Sequence, residues 1–88
     1  MFKAGDAILY EDADGWVIEC LVKQDQLEHH REIVVSDWRY IEAPQHREDI
    51  KNTWADKQEG HAEVDRFRPH PNPDEFLARY TAHRLVNG

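Results

Sequence analysis

Three of the five residues in Pro69-His70-Pro71-Asn72-Pro73 are proline, and this stretch decides where one kind of structure must give way to another. Proline cannot donate to a β-ladder and it holds the preceding residue extended, so a strand running through Phe67 and Arg68 has to stop here. The residues after it have the marks of a helix start. Asn72 is a good N-cap, Pro73 suits the first helical position, and Asp74 with Glu75 places negative charge at the positive end of a helix dipole. Glu75 has the spacing to reach back to the cap as in a capping box. Phe76, Leu77, Tyr80, Arg84 and Leu85 then recur at near-helical spacing, predicting a helix over residues 73–86. His70, between two prolines, reads as an extended lead-in and not as a metal ligand or catalytic group.

Upstream of this corner the periodicity is β-like. Residues 5–11, GDAILYE, form a short β-type run, and 12–15, DADG, form a turn whose Asp and Gly residues tolerate left-handed backbone. In 16–24, WVIECLVKQ, Trp16, Ile18, Cys20 and Val22 alternate with Val17, Glu19, Leu21 and Lys23, giving one apolar and one mixed face. This segment is expected to be the longest strand. Residues 25–32 read as a polar connection, and 33–43, IVVSDWRYIEA, resume β character with a bend at Ser36-Asp37, ended by Pro44. The stretch 45–60 fits either a short helix stopping at Gly60 or an excursion anchored by Trp54, and 61–67 reads as a last strand. The expected organisation is a single domain over 1–88: a β-barrel over 1–68 with an excursion at 45–60, then the helix.

Several function classes are disfavoured. Met1–Asp6 lacks the apolar segment of a signal peptide, and no apolar run approaches the roughly 18 residues of a membrane span. Cys20 is the only cysteine and lies within an apolar strand, where a thiol behaves as a small hydrophobe; a cytoplasmic location is expected. The net charge is -7, with ten acids against four bases in residues 1–44 and eight against seven in 45–88. An acidic surface repels phosphate backbones and lipid headgroups, so neither nucleic acid nor membrane is an expected partner, whereas a basic protein is. No nucleotide-binding or hydrolase motif occurs, so no enzyme activity, catalytic residue or cofactor is expected. His29, His30, His61 and His70 invite a metal reading, but no pair has preorganised ligand spacing, and no metal site is assigned. Ser36, His61 and Asp65 lack any spacing that would support a triad. Protonating all six histidines would bring the charge to about -1, so binding driven by the acidic field should weaken as pH falls through about 6.5.

The aromatic residues carry more information. Tyr10, Trp16, Trp38 and Tyr40 fall at or near strand ends beside the acidic turn of Glu11, Asp12 and Asp14. Exposed together, they would form an aromatic surface edged by carboxylates, suited to Lys or Arg side chains.

These segments resemble the small SH3-like barrels, and loosely the Tudor group. GDAILYEDADGWVIECLV is similar to the Tudor opening, a Gly-led strand, an Asp-Gly turn, an aromatic and a long second strand; IVVSDW resembles the strand and Asp-aromatic turn that come next in that group. The resemblance implies a mainly β, α+β fold, a small SH3-like and partly open barrel with a C-terminal α-helix. It also implies that Trp16 and Trp38, with Tyr40, stand near the place of a methyl-lysine or methyl-arginine cage. Arg39 departs from the pattern, where Tudor domains usually carry Gly. Two binding functions are therefore expected, with a His-based metal-binding protein as a third alternative. In the first, the chain is a small bacterial or phage regulator or inhibitor that engages a basic, nucleic-acid-binding surface of a partner protein. There Glu11, Asp12, Asp14, Glu28 and Glu32 imitate a run of phosphates, and Trp16, Trp38 and Tyr40 supply contact area. In the second, it is an aromatic-cage reader of methylated Lys or Arg peptides.

Overall fold

The computed structural model describes residues 1–87. Asp12 organises the first reversal: its Oδ1 accepts the backbone N–H groups of Asp14 and Trp16, and Gly15 takes the left-handed conformation the turn needs, with φ 99°. Strand β1 (Ala7–Glu11) thereby folds back onto β2 (Val17–Val22). Strand β3 (Glu32–Glu42) pairs with β2, and β4 (Trp54–Glu63) with β3. After a 3-10 turn at Val64–Arg66, the short β5 (Phe67–Pro69) returns to β1. The sheet order is β4-β3-β2-β1-β5, all antiparallel. This is the order of a small SH3-like barrel, and it is left open between β4 and β5. Helix α1 (Pro73–Asn87) completes the chain's described structure.

The period-2 alternation puts Ile8, Cys20, Val22, Ile33 and Val35 on the inner face, where they form the buried core with Phe2, Trp38, Val64 and Phe67 packed around it. Fully burying each of the large aliphatic side chains contributes about 1.5–3 kcal/mol. The expected bend at Ser36-Asp37 is present as a register shift against β4, with Asp37 at φ 50°.

Four sequence expectations change. The longest strand is β3, with eleven residues against six in β2, because Trp16 is taken into the Asp12 turn and the polar residues after Lys23 leave the ladder. Residues 45–60 are neither a helix ending at Gly60 nor a loose excursion. A 3-10 segment covers Gln45–Ile50, Asn52 turns the chain at φ 66°, and β4 starts at Trp54. A polar strand suffices there because the outer edge of β3 supplies the ladder. Consequently residues 61–63 end β4 and do not begin a new strand.

The fourth change concerns the helix. It docks through Phe76, Arg79, Tyr80 and His83, while Leu77 and Leu85 face solvent. The outer face of the sheet explains this choice, since it presents carboxylates: Glu19 binds Arg79, Asp37 binds Tyr80, and Asp56 binds His83. Trp54 lies under the helix, stacked on His83 with centroids 4.5 Å apart and on Phe76 at 6.1 Å. The helix start is also modified. The Asn72 N–H donates to His70 Nδ1 at 2.9 Å, taking the place the capping box would give to Glu75, whose carboxylate instead lies 3.9 Å from Arg79.

Candidate functional site

Two constellations of polar and aromatic residues stand out, on opposite faces of the sheet. The first is closed. Glu19 has no exposed surface; its carboxylate accepts two hydrogen bonds from Arg79, at 2.8 and 3.2 Å, and lies 2.9 Å from His70 Nε2 and 3.5 Å from Arg39. Because His70 Nδ1 accepts from Asn72, the ring's proton sits on Nε2 and points at Glu19. Burial pushes the Glu19 carboxyl up, but hydrogen bonds from Arg79 and His70 outweigh it and hold the group below its ordinary value. A carboxylate with every oxygen engaged and no access to solvent cannot meet a substrate. Its work is to join β2 to α1. Sequence reasoning missed this cluster, although a single Glu within VIECLV and a His between prolines are the two signals that mark it.

The second constellation is open. On the inner face, between the β1–β2 turn and β4, lies a cleft of about 310 Å³. Its walls are Tyr10, Trp16, Trp38, Tyr40 and Phe67, its floor includes Ile18, Cys20 and Val35, and Asp12 stands at its edge. Each aromatic is held by a different neighbour. Trp16 packs against Tyr40 with centroids 5.5 Å apart, and Tyr10 meets the edge of Phe67 at 5.6 Å. Trp38 lies over Gly60, where a Cβ would come within 3.2 Å of the indole. The β-bulge at Ser36/Trp38 aims Trp38 and Tyr40 inward while Arg39 faces the helix side. All four predicted aromatics are half-buried, which leaves their faces available at the cleft.

Asp12 supplies the charge. Besides its two backbone bonds, its Oδ2 accepts the Tyr10 hydroxyl at 2.7 Å. Burial raises its carboxyl, but the Tyr10 hydroxyl and the Trp16 and Asp14 amides more than offset that, so Asp12 titrates below its ordinary value and stays anionic. The same contact, added to burial, pushes the Tyr10 phenol up, keeping it a donor. Cys20 on the floor is buried, its sulfur 3.7 Å from the Ile8 carbonyl, and burial with the Glu19 charge pushes its thiol up to about 12. The Cys20 thiol is therefore not poised as a nucleophile.

The predicted site residues therefore divide. Asp12, Trp16, Trp38 and Tyr40 share the cleft. Glu11 and Asp14 are exposed beside it, Glu11 lying 3.5 Å from Arg68. Glu28 and Glu32 are exposed too, but Glu32 begins β3, eight residues before Tyr40, and faces His61 at 3.8 Å. Glu28 lies in the connection just before it. The five acids are thus two groups at different ends of β3 and not one row. Tyr10 and Phe67 complete the wall. Tyr10 was legible as an aromatic beside the acidic turn; Phe67 was not, because only the return of β5 to β1 brings it there. Among the described residues no group of three His, Cys, Asp or Glu side chains converges as a metal site, and no helix is long and apolar enough to cross a membrane.

No family model matches the chain, and neither a curated protein nor a solved structure shows significant similarity to it.

Proposed function

We propose that the protein is a cytoplasmic, non-enzymatic binding module that receives a basic side chain of a partner protein in the aromatic cleft. The observation that carries this reading is the convergence of Trp16, Trp38, Tyr40 and Tyr10 on one cleft whose edge holds the anionic Asp12. Aromatic faces attract cations through their quadrupoles, by about 0.5–1 kcal/mol when exposed and about 2 or more when desolvated. A carboxylate beside them adds direct charge attraction. Glu11 and Asp14 extend the negative field outside the cleft and steer a basic partner toward it. An inhibitor of a basic, nucleic-acid-binding protein is the class of regulator this chemistry suits.

The preference for a methylated cation is a second reading, favoured by the number of aromatic walls. Methylation lowers hydration of the cation without removing its charge, so a cage of aromatic faces gains more from it than a carboxylate does.

The experiment is a fluorescence titration with short peptides carrying one arginine, one lysine, their methylated forms, or neutral citrulline. Cationic peptides should quench Trp16 and Trp38 and bind at least tenfold more tightly than the citrulline peptide, and D12N and Y40A should each remove most of that difference. Methylated peptides binding no better than unmodified ones would dismiss the cage reading alone. Equal binding of arginine and citrulline peptides would dismiss both.

A further inference from the structure

The open side of the barrel runs along β4, and the hydrogen-bond ladder shows which of its backbone groups are free. The Lys23 N–H donates to the Val34 carbonyl at 2.9 Å, so Val34 directs its backbone groups toward β2. His61 is paired with Val34, and in an antiparallel pair of this kind its own N–H and C=O must point away from β3, off the sheet. The two-residue period gives Glu59 and Glu63 the same direction. The next pair agrees with this, since the Val64 N–H donates to the Arg31 carbonyl. Among the described residues strand β4 has no neighbour on this side, and Glu59, His61 and Glu63 are all exposed. Such a row of unpaired donors and acceptors is a template for another strand. Gly60 and Ala62, between them in sequence, face the cleft.

Charge decides what can occupy this edge. A second copy of the chain, paired antiparallel about His61, would set Glu59 opposite Glu63 twice, and like charges directly opposite are destabilising. A strand with Lys or Arg at alternate positions meets the opposite situation: its outer side chains would lie against Glu59, Glu63 and Glu32. Its inner side chains would pass over Gly60 and Ala62, which have little or no side chain to block the way into the cleft.

We propose that β4 accepts an extended basic segment of a partner protein as an added strand, and that one cleft-facing residue of that strand delivers its cation to the aromatic cleft. The inference rests on the cleft reading for its anchor. Backbone pairing supplies register, and alternate side chains supply specificity, as in other strand-addition complexes.

The test uses the full chain and two ten-residue peptides with arginine at alternate positions and threonine or valine between them, except for one central intervening arginine placed to face the cleft; one peptide is unmodified and the other is N-methylated at the amides of the alternate arginines. Binding is read by tryptophan quenching and by amide hydrogen exchange. The expected result is at least tenfold weaker binding of the N-methylated peptide and slowed exchange at Glu59, His61 and Glu63 with the unmodified one. H61P should reproduce the loss, since the N–H it removes takes no part in the β3–β4 ladder; the methylated peptide answers the same question should that variant not fold. Equal binding of both peptides, still weakened by Y40A, would overturn strand addition and leave the cleft reading standing. Failure of both peptides to bind would overturn both. A peptide-free dimer in sedimentation, lost in H61P, would assign the edge to a second copy instead.

Discussion

Arg79, in the middle of the C-terminal helix, clasps Glu19, in the middle of the second strand, through two hydrogen bonds to a carboxylate that has no exposed surface. The two residues are sixty positions apart in the chain. The pair, with His70 stacked on Phe76 at 5.5 Å, is what fastens α1 to the sheet. Because the helix leaves Leu77, Leu85 and Val86 in solvent, its attachment depends on Phe76, Trp54 and this polar contact more than on an apolar stripe.

Removing the charge at Glu19 should therefore be costly. In E19Q the side chain keeps its shape, but Arg79, Arg39 and His70 lose the anion they surround. Breaking a buried ion pair from one side costs about 3–5 kcal/mol; the partial exposure of Arg79 puts the expectation at the low end, about 3 kcal/mol. That is a large share of the stability of a domain this size. Urea unfolding of both proteins at neutral pH measures it, and a loss below about 1 kcal/mol would show that the contact is replaceable by water.

The direction of the Glu19 shift sets the acid limb of stability. A carboxyl whose folded value lies below its unfolded one contributes stability that is fully present above the unfolded value, near 4.3, and is lost as pH falls through the folded value. Asp12 is shifted the same way and adds to the effect. Unfolding free energy should consequently be insensitive to these two groups above about pH 5 and fall progressively below about 4.5. Denaturant midpoints between pH 3 and 6 test this, and E19Q should flatten the slope. An unchanged slope in E19Q would assign the acid limb to other carboxylates.

Much of this arrangement is legible in the residues, and the limits have physical causes. The Asp12–Gly15 turn, the Ser36-Asp37 bend and the Pro73 helix start are local effects of single residue types, and they occur as the chain chemistry requires. The grouping of Trp16, Trp38 and Tyr40 near Asp12 was expected from strand ends, but Trp38 lies inside β3, and the bulge after Ser36 is what turns it and Tyr40 toward the β1–β2 turn. What sequence could not supply is long-range. Residues 54–60 are polar and lack a clear period, so their strand identity comes from the unpaired edge of β3. The helix face is chosen by three carboxylates on the opposing sheet, whose positions exist only once the strands are in register. Glu19 looked like the polar side of an amphipathic strand because its partners, Arg79 and His70, lie more than fifty residues away.

Gly60 offers a way to perturb the cleft without replacing its aromatic walls or Asp12. Its backbone is not left-handed, so alanine brings no conformational strain there; the added Cβ would meet the Trp38 ring at 3.2 Å. The ring borders open space and can move by the few tenths of an ångström required, so G60A should cost no more than about 1–3 kcal/mol. The displaced indole narrows the cleft. Tryptophan emission should shift and affinity for an arginine peptide should fall several-fold, while a stability loss with unaltered binding would mean that Trp38 is not part of the binding wall.

The thiol of Cys20 tests whether the cleft floor is closed. The residue is 1% exposed, its sulfur lies against the Ile8 carbonyl, and its thiol is pushed up to about 12. At pH 8 almost none of it is thiolate, the form that reacts. Iodoacetamide should leave the native protein unmodified over hours and alkylate it fully in urea, where the ordinary thiol value near 8.5 returns. Because Cys20 lies beneath Trp38 and Tyr40 in the same cleft, its protection also reports on the aromatic wall. Rapid alkylation of native protein would mean that the wall opens readily to solvent, and a loosened wall cannot hold the fixed aromatic faces that cation recognition requires.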